Sequence, residues 1–315
     1  MIPSLLMVAG LVLLFFGGEG LVKGSSSLAL RLGLTPLVIG LTVVAFGTSA
    51  PEMVVSVKAA LDGLGNIAIG NIVGSNIFNI GLILGLTAVI YPIKVQYQLL
   101  RWDVPVMIVA LGAFLWVFRD GVITRSEGAS LFAMIVVYVI IAVVAAKRAP
   151  APEAVKAEYQ SNIERPAHPA WQDIAFILGG LVFLVIGSRL LVDGASTIAR
   201  SFGVSDAIIG LTLVSAGTSL PELAASLIAA FRRQPDIAIG NIVGSNIFNA
   251  LAIAGLGGMA REMDGGQISS VDLWVMAAFS IALLPLLWSS FTLKRWEGGV
   301  LLAGYAGYLA WLWPR

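Results

Sequence analysis

The chain has no cysteine, a single histidine, and charged side chains at only 12% of its 315 residues. Without cysteine there are no disulfides, thiolate metal sites or cysteine nucleophiles. The one imidazole, His168, lies in a polar, proline-rich stretch and reads as a solvated linker residue rather than a ligand. Neither sign of charge dominates, with 19 basic and 18 acidic residues, which argues against a nucleic-acid partner. The shortage of charge is the most telling absence. A soluble domain of this length carries about a quarter of its residues charged, so this chain cannot cover itself with a water-facing surface.

What is present is hydrocarbon. The sequence is 58% hydrophobic, and apolar runs recur from end to end. Runs of about 20 such residues match the thickness of a bilayer core. This is the pattern of an integral membrane protein. The first run lacks a basic leader and a small-residue cleavage site ahead of a soluble domain, so it reads as a retained span. Proline, glycine and charge clusters divide the chain into ten expected spans, near 3–24, 35–60, 66–90, 104–118, 127–146, 171–192, 205–230, 236–257, 271–289 and 297–313. The only sizeable polar segment lies between the fifth and sixth, giving an expected division into 1–147, a linker at 148–170, and 171–315.

The two parts repeat each other. "GNIVGSNIFN" occurs unchanged at Gly70–Asn79 and Gly240–Asn249, 170 residues apart. At the same offset, "LTVVAFGTSAPEMVVS" (41–56) aligns with "LTLVSAGTSLPELAAS" (211–226) without a gap. A duplicated unit of five spans is odd-numbered, so the second copy enters the membrane from the opposite side. The expected fold is therefore all-α, ten transmembrane helices as two inverted five-helix repeats, an arrangement typical of secondary transporters. Loops after odd-numbered spans carry Arg31, Lys94, Arg101, Lys147, Arg148, Lys156, Arg165, Arg232, Arg233, Lys294 and Arg295. The other side carries Arg119, Arg125, Arg200, Arg261 and Arg315. The excess places the linker in the cytoplasm and both termini outside.

Two carboxylates, Glu52 and Glu222, fall inside apolar spans at equivalent positions. Each costs several kcal/mol at that depth unless paired, neutralised or bound to a cation. A structural ion pair needs a basic partner, and no Lys, Arg or His lies at matching depth; permanent protonation is the remaining bland reading. Each glutamate follows a proline, in "GTSAPE" and "GTSLPE", and proline breaks a helix by removing an N–H and clashing with the carbonyl four residues back. Thr48, Ser49, Thr218 and Ser219 add hydroxyls at the break. Carboxylates, hydroxyls and freed carbonyls suit hard cations such as Na⁺ and Ca²⁺. In the decamer, Gly70 and Gly74, like Gly240 and Gly244, form a small-xxx-small pattern for close helix approach. Ser75 and Asn79 share one helix face, as do Ser245 and Asn249. Asn76 and Asn246 point elsewhere and read as serving packing or backbone bonding; Asn71 and Asn241 read as caps or interhelical bonds. Glu19 with Lys23, and Arg189 with Asp193, read as local i,i+4 salt bridges of reversed sign, the alternative being that they help position a moving helix pair.

The paired "GTSAPE…GNIVGSNIFN" and "GTSLPE…GNIVGSNIFN" resemble the two alpha-repeats of the cation/Ca²⁺ exchanger superfamily, in particular its prokaryotic sodium/calcium exchanger branch. The resemblance covers essentially the whole chain. It implies an antiporter rather than an enzyme, working in the cell membrane with no cofactor and no protein partner, its substrates being Ca²⁺ and Na⁺, typically three Na⁺ for one Ca²⁺. It further implies Glu52 and Glu222 as shared ligands and Thr48, Thr218, Ser49 and Ser219 as oxygen donors beside them. The carbonyls of Ala45 and Ser215, with Ser75 and Ser245, would complete outer Na⁺ sites, and Asn79 and Asn249 would line the centre. The first and sixth spans would slide across this core. Many relatives, K⁺-dependent ones included, carry Asp where this chain has Asn249, which implies K⁺ independence here. The alternative is a Ca²⁺/H⁺ antiporter using the same two glutamates. A protease built on two carboxylates would need aspartates, and each glutamate here instead directly follows a proline.

Overall fold

The computed structural model describes residues 2–148, 169–203 and 215–312. The linker, His168 and the start of the expected seventh span lie outside the described residues. The remainder is almost entirely helical. α1 (Ile2–Leu32) leads into α2 (Pro36–Thr48) and α3 (Ala50–Leu61), followed by α4 (Gly65–Ile90), α5 (Leu99–Asp120) and α6 (Arg125–Arg148). The second half runs through α7 (Ala170–Ser201), α8 (Ser215–Thr218), α9 (Leu220–Phe231), α10 (Pro235–Ala260), α11 (Ser270–Trp288) and α12 (Arg295–Leu312). Seven of these helices are long and apolar enough to cross a membrane, or eight when α2 and α3 count as one broken span.

Several expected boundaries move. α1 and α7 run to 31 and 32 residues, well past the expected 3–24 and 171–192. Their last turns (Ser25–Ser27, Ser196) are polar yet buried, so apolarity alone underestimates them. α5 begins at Leu99 rather than 104 because Leu99–Asp103 winds as a π-turn onto its front. The purely helical expectation also lacks four two-residue strands. β1 (Ile93–Lys94) pairs with β4 (Thr292–Leu293), and β2 (Val122–Ile123) pairs with β3 (Met263–Asp264), both antiparallel. β3 lies 170 residues after β1 and β4 170 after β2, so each ladder joins the two halves by swapping equivalent strands.

Proline sets the central break. Pro51 cannot donate, so the helix ends at Ser49 (φ −80°, ψ 3°) and restarts at Ala50, with α2 and α3 at 47° to each other. The matching break in the second half sits at Ser219, with φ −92° and ψ 6°. Helix starts are capped in parallel. Glu127 accepts from the Thr124 N–H at 3.0 Å, and Glu297, its equivalent, from the Lys294 N–H at 2.7 Å.

The innermost helices are α10, whose membrane stretch is 100% buried, and α4, at 72%. They anchor the main core, with Ile69, Ile72, Ile77, Ile80, Ile247 and Phe114 among its members. α1 and α7 belong to a second, smaller cluster with Leu14, Leu21, Leu184 and Ile228. They run antiparallel with a glycine every seven residues on each: Gly10, Gly17 and Gly24 on α1, and Gly180, Gly187 and Gly194 on α7. A Cβ on Gly10 would stand 2.7 Å from the Gly187 carbonyl, and one on Gly17 2.8 Å from that of Gly180. The two backbones are therefore in direct contact along the whole seam.

The expected local salt bridges are not what forms. Glu19 pairs with Arg232, in the turn after α9, through two guanidinium nitrogens. Lys23 instead sits 4.8 Å from the centre of the Phe176 ring. Arg232 prevails because its planar fork meets both carboxylate oxygens where α1 crosses α9, geometry an i,i+4 lysine cannot offer. Among the described residues Arg189 and Asp193 make no ion pair with each other. The close approach expected of Gly240 and Gly244 is present, a Cβ on Gly240 falling 2.8 Å from the Leu37 carbonyl. The residues equivalent to that partner for Gly70 and Gly74 lie outside those described.

Filling the glycine seam should be costly where lipid-facing glycines are not. Gly17→Leu or Gly187→Leu should lower stability by roughly 1–3 kcal/mol or more through overpacking. Gly179→Leu, at an exposed position of α7 with open space around it, should be tolerated. Thermal unfolding in detergent distinguishes the two classes.

Candidate cation site

The proline breaks deliver two carboxylates to the molecular centre. Glu52 and Glu222 sit in the first turns of α3 and α9, with 2% and 1% of their surface exposed. Each is held by the other half. The Ser49 hydroxyl donates to Glu222 Oε1 at 2.9 Å, and the Ser219 hydroxyl donates to Glu52 Oε1 at 2.8 Å. Neither carboxylate meets a basic residue, and both Oε2 atoms are buried with no hydrogen-bond partner. Water would have to be excluded from around an unpaired charge, an arrangement that persists only with a further partner.

The two decamers line the opposite wall. Asn79 opens a π-turn, Asn79–Leu84, and Asn249 lies in its counterpart, Phe248–Ile253. One extra residue per turn rotates the side chains out of ordinary helical register, which is how π-turns present groups at functional sites. Asn79 donates through Nδ2 to Asn246 Oδ1 at 3.4 Å, leaving its own Oδ1 unpartnered. Both amide atoms of Asn249 and the Ser245 hydroxyl are likewise buried without partners. Ser75 completes this wall, 3.4 Å from the Ser219 hydroxyl. Buried polar atoms normally find partners; here five oxygens lack one, four of them in equivalent places of the two repeats.

The remaining sequence-derived positions divide. The Thr48 hydroxyl turns to Asn241 Oδ1 at 3.0 Å and the Ala45 carbonyl at 3.4 Å. The Ala45 carbonyl also accepts the Ser49 N–H at 3.0 Å, so it is not a freed carbonyl, although its second lone pair remains. In the second half the Ser219 N–H bonds to the Ala216 carbonyl, at 3.1 Å. Thr218 holds the equivalent place to Thr48, half-buried. Gly217, whose carbonyl loses its donor to Pro221, is served by the Ser188 hydroxyl of α7.

Asn71 and Asn241 make the interhelical bonds expected of them, and these fall on the glutamate helices. Asn71 Nδ2 donates to Ser56 Oγ at 2.9 Å and to the Glu52 carbonyl at 3.4 Å. Asn241 does the same for Ser226 (3.1 Å) and the Glu222 carbonyl (3.4 Å). They fix the backbone of each glutamate, and the signal was available: Asn71 is 15 residues from Ser56, and Asn241 stands 15 from Ser226. Asn76 and Asn246 each donate to a methionine thioether, Met276 and Met107, at 3.8 Å. Among the described residues no group of three His, Cys, Asp or Glu side chains converges. The site offers two carboxylates among neutral oxygens, which is a hard-cation donor set.

Comparison with known proteins agrees in kind. The family model described as sodium/calcium exchanger protein matches residues 2–144 and 173–313. The chain is 42% identical over 313 residues to the putative antiporter CaxA of Alkalimonas amylolytica, covering 98% of each. It is 31% identical to the sodium/calcium exchanger MaX1 of Methanosarcina acetivorans, covering 97% of each. Among solved structures, the sodium-calcium exchanger NCX_Mj soaked with Na⁺ and Sr²⁺ superposes with a TM-score of 0.84 at 32% identity, over 98% of both chains.

Asn71→Ala and Asn241→Ala should each cost about 1–3 kcal/mol, since each strands a buried serine hydroxyl and loosens a glutamate's backbone. Thermal unfolding should show the loss with no cation present, and Asn→Ser should recover part of it.

Proposed function

This chain belongs to the sodium/calcium exchanger protein family, and on that premise we propose that it exchanges Na⁺ for Ca²⁺ across the membrane by alternating access, independently of K⁺. The observation that carries the proposal is the set of unpartnered buried oxygens: Glu52 Oε2, Glu222 Oε2, Asn79 Oδ1, Asn249 Oδ1 and Ser245 Oγ. A dehydrated Ca²⁺ takes six to eight oxygens, and these atoms belong to both halves. Glu52 and Glu222 are the shared ligands, each steadied on one oxygen by a serine and offering the other to the ion. Asn79 and Asn249 line the centre. Ser75, Ser245, Thr48, Thr218, Ser49, Ser219 and the carbonyls of Ala45 and Ser215 supply flanking Na⁺ positions. Two carboxylates neutralise one Ca²⁺ but leave a positive charge with three Na⁺, so the two loaded states differ electrically. With asparagine at 249 there is no third carboxylate to hold a K⁺.

The topology proposed is ten spans in two inverted five-span repeats, 1–147 and 171–315, with the linker cytoplasmic and both termini outside. The cross-half contacts support the inversion. β1 with β4, Gln96 with Asp236, and Arg31 with Asp173 join loops that an inverted second half places on one surface. β2 with β3, Arg261 with the Leu61 carbonyl, and Asn66 with Gln267 join loops on the other. A second half in the same orientation would hold each of these partners on opposite surfaces, about 30 Å apart. Alternating access draws support from an asymmetry between equivalent residues. Ala225 of α9 is fully buried, whereas its counterpart Val55 of α3 is 40% exposed, and Val54 is 61% exposed. One repeat's glutamate helix is covered and the other's is open, on the extracellular side in this topology.

Proteoliposomes loaded with Na⁺ should take up Ca²⁺, and a pH gradient alone should not drive uptake; the reverse result would assign the protein to Ca²⁺/H⁺ exchange. Adding K⁺ should leave the rate unchanged. Glu52→Gln and Glu222→Gln should each reduce Na⁺-driven uptake at least a hundredfold, and full activity in either would remove that residue from the ligand set.

A further inference from the structure

We infer that Glu19–Arg232 is one member of an alternating pair of ion-pair latches, the other being Arg189–Asp62, which forms in the opposite-facing state. The inference rests on the two-state reading above. The repeat offset relates Glu19 to Arg189 and Asp62 to Arg232, so the formed pair has an equivalent with its charges exchanged between the helices. In this structure only the first is made. α1 lies over α9, a Cβ on Gly18 falling 2.9 Å from the Ile228 side chain, and Glu19 reaches Arg232 through both oxygens. On the other side α7 leaves α3 uncovered, Val54 and Val55 being exposed, and Arg189 is exposed with no ion partner among the described residues. Asp62 meanwhile is held by Lys58 of its own helix at 2.6 Å, in an exposed i,i+4 pair.

The glycine seam explains why the two latches exclude each other. α1 and α7 touch backbone to backbone, so they shift together across the glutamate helices. A shift that lifts Glu19 off Arg232 brings Ser188, the equivalent of Gly18, toward Lys58, the equivalent of Ile228. Arg189 then arrives beside Asp62 and displaces Lys58. Other charges nearby are accounted for: Lys23 is over Phe176, and no carboxylate but Glu19 meets Arg232. The formed pair is partly exposed, with side-chain exposures of 22% for Glu19 and 59% for Arg232, so it biases the equilibrium only several-fold. A device that opens in every cycle requires a bias of that size.

Because the chain has no cysteine, Val54→Cys supplies a single reporter on the face that closure by α7 covers. In vesicles, labelling of Val54→Cys by an impermeant maleimide from outside should slow about two- to fivefold when Glu19→Gln or Arg232→Gln is added. The charge swap Glu19→Arg with Arg232→Glu should restore it. Asp62→Asn and Arg189→Gln should hold or raise the rate. A second measurement stands independently: a short cross-linker should join Asp62→Cys to Arg189→Cys, with two- to fivefold higher yield in the Glu19→Gln background. Unchanged labelling in the Glu19 and Arg232 variants, slowed labelling in Asp62→Asn, or no cross-link in either background would each overturn the proposal. Neither measurement depends on which ions are carried. Loss of Na⁺-driven uptake with these shifts intact would remove the cargo assignment and leave the latches standing.

Discussion

The reciprocal bond between each serine at a helix break and the glutamate of the other half is the contact on which the rest of the molecule turns. Ser49 to Glu222 and Ser219 to Glu52 cross the molecular centre in both directions. A carboxylate in an apolar interior is costly unless its oxygens are engaged. One hydroxyl per carboxylate engages half of each group and leaves Oε2 of each buried without a protein partner. The central helices follow from this requirement. Proline must break the helix to bring serine and glutamate to one turn, asparagines must brace the turn, and α4 and α10 must be buried deeply enough to exclude water.

Backbone irregularity concentrates around that centre. The proline breaks lie at Ser49 and Ser219, and π-turns begin at Asn79 and Phe248. Irregular backbone inside a membrane persists only where protein or a polar cavity satisfies it. The two halves satisfy it differently: the hydroxyl of Ser188 serves the Gly217 carbonyl, while the equivalent position in α1 is Gly18, which packs against α9. The two equivalent breaks are thus braced by different groups.

Much of this was legible in the sequence because its signals are chemical. Buried glutamates after proline, and a decamer repeated without change, stand out against hydrocarbon. The ends of α1 and α7 were less legible, since these helices extend through buried serine-bearing turns that hydropathy reads as loop. The i,i+4 spacing points Glu19 to Lys23, yet its partner is 213 residues away; local spacing carries no information about which helix crosses above. The π-turns leave no composition signal, because an extra residue in a turn changes direction without changing residue type. The ladders β1–β4 and β2–β3 leave none because each strand is two residues long, too short for an alternating pattern.

Those ladders bear on how the molecule comes to be. A chain made from its N-terminus presents β1 and β2 long before their partners exist, and Glu52 before Ser219 is synthesised. The first half therefore begins with an incomplete centre and unpaired strands; the centre is complete only once α10 is made, and β1 waits for β4, beyond α11. Assembly of the central site thus waits on the second half, and a chain truncated before it lacks the groups that brace its buried carboxylate.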